Sequence, residues 1–387
     1  MIPSAELETD RFLTTDGEIA LINLESARRR SWSRFFTDPR REGVAETVVM
    51  HEQLTAQFVG DVRALDRLES LANSLAAALP SSARTALIQA QVSSMTHRFA
   101  DARRYLAQAE VGGAPMEDVG RLRLNIDQAC GVCLDEALRA RSEFAKRSGR
   151  LEDLVALGAL LADLGAFAEA DHAYGEALRL YQDVSPFPVA WVCFQLGALW
   201  GELAPEPQAD RAAQWYRKAI AYLPAYTKAR VHLAEICLSE GRADEAEALL
   251  TPALASGDPE VHWRLADALA VAGKPAEAGA HLRAARSGFD ALLHRHLLAF
   301  ADHGAEFYAG SGNDRRRALD LARINVANRP TLRALEQAHH LAVNAGDLEA
   351  ASELLAEVTK RWGGNTLAFR SSPLARWSTD KREGAAA

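Results

Sequence analysis

From residue 151 onward the hydrophobic positions fall into a repeating pair of short amphipathic helices joined at a glycine. In "LEDLVALGALLADLGAFAEADHAYGEALRL", Leu154, Leu157-Gly158 and Leu161 share one helical face, Gly165 marks a turn, and Ala170, Tyr174 and Ala177 form the face of a second helix. The next unit repeats the spacing with Cys193, Leu196-Gly197 and Trp200, then Ala212, Tyr216, Ala219 and Pro224, and has extra residues around Pro205 and Pro207. A third starts at Thr227 with Leu233-Ala234, Cys237, the turn Gly241, Ala246, Leu250 and Ala253. A fourth has Leu265-Ala266, Leu269, Gly273, Ala278, Leu282 and Ala285. In "HRHLLAFADHGAEFY", Phe300, His303-Gly304 and Phe307 take the same places, and a turn "GSGND" leads to Ala318 and Pro330. Small residues at two fixed places let paired helices approach closely, and the large apolar ones fill the holes between successive pairs.

This pattern resembles the tetratricopeptide repeat, W-x2-L-G-x2-Y followed by A-x3-F-x2-A and P, with leucine in both aromatic positions of the first helix at 151. The resemblance implies an all-α fold, a right-handed superhelical solenoid of antiparallel helix hairpins. Weaker units flank the clear ones: Leu68, Ala72, Leu75 and Pro80, then Ala102, Leu106 and Ala109 upstream, and Ala351, Leu355 and Val358 downstream of Gly346. Eight or nine hairpins are expected between about 49 and 362. The expected divisions are an arm and capping helix over 1–48, degenerate hairpins over 49–150, well-matched repeats over 151–290, further repeats over 291–362, and a partly disordered tail over 363–387.

Composition agrees with helix: 48% hydrophobic, 25% charged and only 7% aromatic residues in 387. A net charge of -8 argues against a general nucleic-acid binder. The start "MIPSAELETDRF" has no basic-then-apolar export signal, and the most apolar stretch, 154–167, is too short to span a membrane and contains Asp163. Four cysteines form no disulfide framework, so the expected compartment is the cytoplasm.

In families of this resemblance, the second, fifth, ninth, twelfth and thirteenth positions of a repeat point into a concave groove. Carried over, they give Glu152, Val155 and Asp163; Trp191, Phe194 and Glu202; Lys228, Val231 and Glu235; Glu260, Trp263 and Asp267; and Leu298, Ala301 and Tyr308. The implied lining has six carboxylates, one lysine and four aromatics, which suits a peptide or protein partner with basic and apolar side chains. Trp191, Phe194, Trp263 and Tyr308 are the expected anchors; Glu202, Glu235 and Asp267 are the steering charges, with Lys228 beside them. A chaperone-tail clamp of Lys, Arg and Asn would require the opposite charge.

No phosphate-binding loop, H-E-x-x-H or G-x-S-x-G is found, so the expected function is a non-catalytic scaffold or adaptor with no cofactor. Two alternatives stand beside it: a metal-handling protein using histidines of 281–340, and a regulator whose superhelix changes pitch when a peptide binds. Within the histidine segment, His294 and His296 lie about 200° apart around a helix, and His296 and His303 about 10 Å apart along it, so neither pair shares an ion. His303 with Glu306 is the closest approach to a metal pair and is incomplete by itself. His303 also stands where the pattern expects leucine, a position facing the neighbouring helix. Cys130 and Cys133 lack the strand of a redox motif and the second pair of a zinc site, and Cys193 and Cys237 fall on packing positions. The arginine-rich "ARRRSWSRFFTDPRR" reads as an amphipathic cap for the end of the solenoid or as a partner site.

Overall fold

The computed structural model describes residues 12–362 together with Phe369, Ser372 and Leu374; the expectation for the 363–387 tail lies almost wholly outside them. The described residues form helices and turns with no strand. In order these are α1 (Gly17–Thr37), α2 (Val44–Leu54), α3 (Arg63–Ala78), α4 (Ala83–Met95), α5 (Phe99–Val111), α6 (Met116–Ala129), α7 (Leu134–Ser148), α8 (Leu151–Asp163) and α9 (Phe167–Leu180). They continue with α10 (Pro186–Ala198), α11 (Ala209–Tyr222), α12 (Thr227–Ser239), α13 (Ala243–Leu250), α14 (Pro259–Val271), α15 (Pro275–Ala309), α16 (Arg315–Asn328), α17 (Leu332–Ala345) and α18 (Leu348–Trp362). α15 is two helices meeting at His296, whose φ of -134° and ψ of 52° are not helical. With α15 counted twice, α2 to α18 pair into nine antiparallel hairpins, and α1 lies across α2 at the end.

Each hairpin closes where the pattern has its small residues. A Cβ on Gly158 would lie 2.7 Å from the Tyr174 ring, and one on Gly197 would lie 2.5 Å from the Tyr216 ring, so the second helix presses an aromatic directly onto the backbone of the first. The small turn residues act as expected: Gly165, Gly241, Gly273 and Gly346 all have φ between 74° and 77°. Residues Leu199–Leu203 continue α10 as a π-type turn, which takes up the extra length before Pro205 and Pro207.

The solenoid then winds onto itself. Thr15 N donates to Val184 O, the Thr227 hydroxyl to Val59 O at 2.7 Å, and Asn328 Nδ2 to His97 O at 2.9 Å, while His296 Nε2 lies 2.8 Å from Asp66 Oδ1. As the first partner advances from 15 to 97, the second advances from 184 to 328, so one superhelical turn lies along the next in the same direction. Phe58 forms the apolar part of this contact: it is 2% exposed and packs on Phe187 and Tyr226 with ring centroids 5.1 and 4.9 Å away. Its burial contributes about 2 kcal/mol. Gly60 lets the two backbones meet, since a Cβ there would sit 2.9 Å from Thr227 Cβ.

The capping helix is anchored by charge as well as by packing. Glu52 is fully buried on α2, accepts from Trp32 Nε1 at 2.6 Å, and pairs with Arg28 at 3.1 Å and Arg67 at 2.6 Å. Three donors on one buried carboxylate satisfy it and fix the register of α1.

Replacing Gly60 with Ala is expected to cost about 1–3 kcal/mol, since it adds both a forced positive φ and a clash with Thr227. Gly43 has a similar φ of 78° with nothing within 4 Å, so Gly43→Ala is expected to cost only the backbone part, about 1 kcal/mol. Urea denaturation of both variants measures the difference; equal costs would show that the contact between turns carries no weight.

Candidate functional site

Because one turn lies along the next, the first helices of the hairpins face an enclosed concave interior. Its wall is a chain of ionisable groups running from one inner helix to another. Arg333 on α17 lies 3.4 Å from Glu202; Glu202 lies 2.7 Å from His232 Nδ1 on α12; His232 lies 3.4 Å from Glu235. Glu235 pairs with Arg264 on α14, which lies 4.0 Å from Asp267; Asp267 accepts from the Ser311 hydroxyl at 2.6 Å, and Ser311 accepts from Trp263 Nε1 at 3.0 Å. Tyr216 adds its hydroxyl to Glu202 at 2.9 Å.

Burial opposes the charges of His232, Glu202, Asp267 and Arg333, and the neighbours decide which survive. For His232, desolvation works against protonation, but Glu202 and Glu235 outweigh it and raise its pKa to about 10. For Glu202, burial pushes the carboxyl up, and His232, Arg333 and Tyr216 reverse this to hold it at about 2. Asp267 goes the other way: burial raises it, and Ser311 and Arg264 only partly compensate.

A second group adjoins the first. The Asp302 carboxylate accepts from the His303 backbone N–H at 2.9 Å and pairs with Arg329, and Gln337 Nε2 donates to Glu306 Oε1 at 3.2 Å. Despite burial, His303 and Arg329 hold Asp302 at about 2. His303 Nδ1 is 3.6 Å from Glu260 Oε2 on the preceding inner helix, and its pKa is raised, first by Asp302 and then by Glu260 and Glu306 against desolvation. His97, reaching in from the first turn to Leu298 O at 3.2 Å, is driven down to about 4 by desolvation and by Arg329.

These positions revise the expected lining. Glu202, Glu235 and Asp267 do share the interior, but as members of an internal ion-pair chain. The fifth repeat position does not line it: Val155, Val231, Trp263 and Ala301 are buried, and Phe194 packs on Tyr216, Tyr226 and His232. Trp263 and Tyr308 therefore offer no free ring as anchors. Trp263 is 4% exposed against Phe289 and Phe307, and Tyr308 is fully buried with its hydroxyl donating to Asp290 at 2.5 Å. Trp191 is half-buried against the core, and Lys228 is exposed near Asp258 and His303.

The sixth position faces inward instead, with His232, Arg264 and Asp302 on three successive inner helices. Polar residues recurring at that place were the available sequence signal. His303 does reach the neighbouring helix through Glu260, as its repeat position implied, yet 42% of its side chain stays accessible.

No group of three or more His, Cys, Asp or Glu side chains is placed to hold a metal among the described residues, and Glu306 is turned to Gln337. His294 is exposed, and His296 spans to Asp66. Cys130 is buried with its thiol pushed up by desolvation, Cys133 is exposed, and Cys193 and Cys237 are fully buried.

Beside the first group, a cavity of about 910 Å3 opens between α6, α7 and α8 on one side and α17 and α18 on the other. Its wall includes Arg141, Asp163, Glu202, Arg333 and Glu336, with Leu134, Phe167, Leu332 and Trp362 supplying apolar surface.

A helical-hairpin solenoid with an enclosed polar interior is the class that these features define. Residues 206–258 match the family model described as Tetratricopeptide repeat. No curated protein matches it. Among solved structures it is similar to yeast Tom70, at 13% identity over 93% of this chain and 96% of that one with a TM-score of 0.33. It is also similar to the APC/C hetero-tetramer Cut9-Hcn1, at 16% identity over 90% and 66% with a TM-score of 0.42. A third similarity is to the C-terminal part of a TPR repeat-containing protein from Cytophaga hutchinsonii, at 14% identity over 76% and 97% with a TM-score of 0.32.

The ion-pair chain sets a pH profile. His232, with its folded pKa raised from 6.5 to about 10, contributes stability that is full below 6.5 and is lost as pH rises toward 10. Glu202, depressed from 4.5 to about 2, contributes stability present above 4.5 and lost as pH falls toward 2. Melting temperature is expected to fall from pH 6.5 to 10, and His232→Gln to flatten that alkaline limb. An alkaline limb unchanged in the variant would show that His232 is not charged in the folded protein.

Proposed function

We propose that this protein is a non-catalytic, cytoplasmic interaction scaffold that takes a partner segment bearing basic and apolar side chains along its concave interior. The carrying observation is the interior wall itself. Glu202, Glu235, Asp267, Glu260 and Glu306 line the inner wall within reach of water, in exchangeable ion pairs with Arg264, Arg333 and His232, in a preformed setting that loses little freedom on binding. A lysine or arginine of a partner competes with Arg264 and Arg333 for these carboxylates, exchanging internal ion pairs for intermolecular ones. Such exchange gives specificity and electrostatic steering more than raw affinity. The half-buried Trp191 supplies an apolar edge, whereas Trp263 and Tyr308 serve the hairpin cores.

In the described residues no helix is long and apolar enough to cross a membrane. The ion pairs along the interior favour a polar, salt-sensitive partner over a hydrophobic helix buried in a groove.

Fluorescence polarisation with synthetic peptides that combine Lys or Arg with Leu, against matched peptides carrying Glu, tests this reading. The basic set is expected to bind about tenfold tighter than the acidic set, to weaken as salt rises, and to lose about tenfold in affinity with Glu235→Lys. Equal binding of basic and acidic sets, or no effect of Glu235→Lys, would overturn it.

A further inference from the structure

The cavity beside α6 to α8 contains a charge that the fold compensates only at a distance. Arg141 on α7 is 7% exposed and lines the cavity. Its Nη2 donates to Asn125 Oδ1 at 3.0 Å, a neutral acceptor, and its Nε has no hydrogen-bond partner. Among the described residues no carboxylate lies within ion-pair distance of it, unlike Arg121, Arg264, Arg329 and Arg333. A buried guanidinium without a direct ion pair is costly, and here burial lowers its pKa against the more distant attraction of Asp163 and Asp153.

Across the same space stands the opposite imbalance. Asp163, at the end of α8, accepts from the Gln128 amide at 2.7 Å and feels Arg333, Arg141 and Arg329 only at a distance, and Glu336 on α17 also lines the wall. Burial raises the pKa of both carboxyls. The two signs share one cavity and attract each other across it without a direct ion pair. Leu134, Phe167, Leu332 and Trp362 cover much of the remaining wall. A cavity of about 910 Å3 suits a ligand larger than a single amino acid, within the roughly 300–1,000 Å3 usual for small-molecule sites.

We propose that this cavity binds a zwitterionic ligand of about tripeptide size with an apolar body, its carboxylate on Arg141 and Asn125 and its ammonium on Asp163. A guanidinium carries several N–H donors and takes a carboxylate through two of them, and Asn125 occupies only one Nη2 donor of Arg141. Arg141, Arg329 and Arg333 share the lining with Asp163, Glu202 and Glu336, so the cavity is balanced in charge and suits a ligand that balances its own. This goes beyond the scaffold reading: a ligand without net charge would be held between the turns whether or not a basic partner occupies the interior.

The probe is tri-leucine, compared by calorimetry and by tryptophan fluorescence with its C-terminal amide and its N-acetyl form. The unmodified peptide is expected to bind about tenfold tighter than either blocked form, and Arg141→Gln to remove the preference for acid over amide. Binding of the acid no tighter than of the amide, or no binding at about 10 mM, would sink the proposal. So would unchanged affinity in a folded Arg141→Gln protein. If that variant does not fold, the comparison of acid with amide in the unaltered chain decides. Loss of basic-peptide binding alone would overturn the scaffold reading and leave this one standing.

Discussion

The contact of one superhelical turn with the next is the constraint from which the rest of this molecule follows. Phe58, seated on Phe187 and Tyr226, and Gly60, touching Thr227, bring two segments 168 residues apart in sequence into direct register. Asp66 and His296 extend that register along the axis. Without it, the concave side of the hairpins would be an open groove; with it, that side becomes an interior. The break of α15 at His296 belongs to the same contact, because the non-helical residue is the one that reaches the first turn.

Enclosure alters the electrostatics of the inner wall more than its composition does. A carboxylate on an open groove is hydrated and nearly indifferent to its neighbours, whereas one surrounded by protein is destabilised unless paired. This is why His232 is held charged between Glu202 and Glu235, while His97, in the same interior but beside Arg329, is held neutral. The fold compensates most of its interior charges through Arg264, Arg329 and Arg333 and leaves Arg141 and Asp163 facing a cavity without a direct ion pair.

Close winding also explains which side chains are available to a partner. Adjacent inner helices approach so near that the fifth repeat position is buried between them, taking Trp263 out of reach, and the sixth rotates inward with His232, Arg264 and Asp302. A repeat consensus describes an average curvature, and a tighter curvature turns a neighbouring residue toward the axis.

The sequence by itself determined the hairpins. The small residues at Gly158 and Gly197, the turn glycines at 165, 241, 273 and 346, and the apolar spacing are local properties that act within a few residues, so the helices, their pairing and the repeat frame were legible. It also marked Glu202, Glu235 and Asp267 as inward-facing. Only the tertiary structure decided how tightly the hairpins wind, because curvature accumulates from small rotations over many repeats and is settled by contacts such as Phe58 with Tyr226 that no local period encodes. From that winding came the burial of Trp263 and Tyr308, the ion-pair chain through His232, and the Arg141 guanidinium left without a direct ion pair.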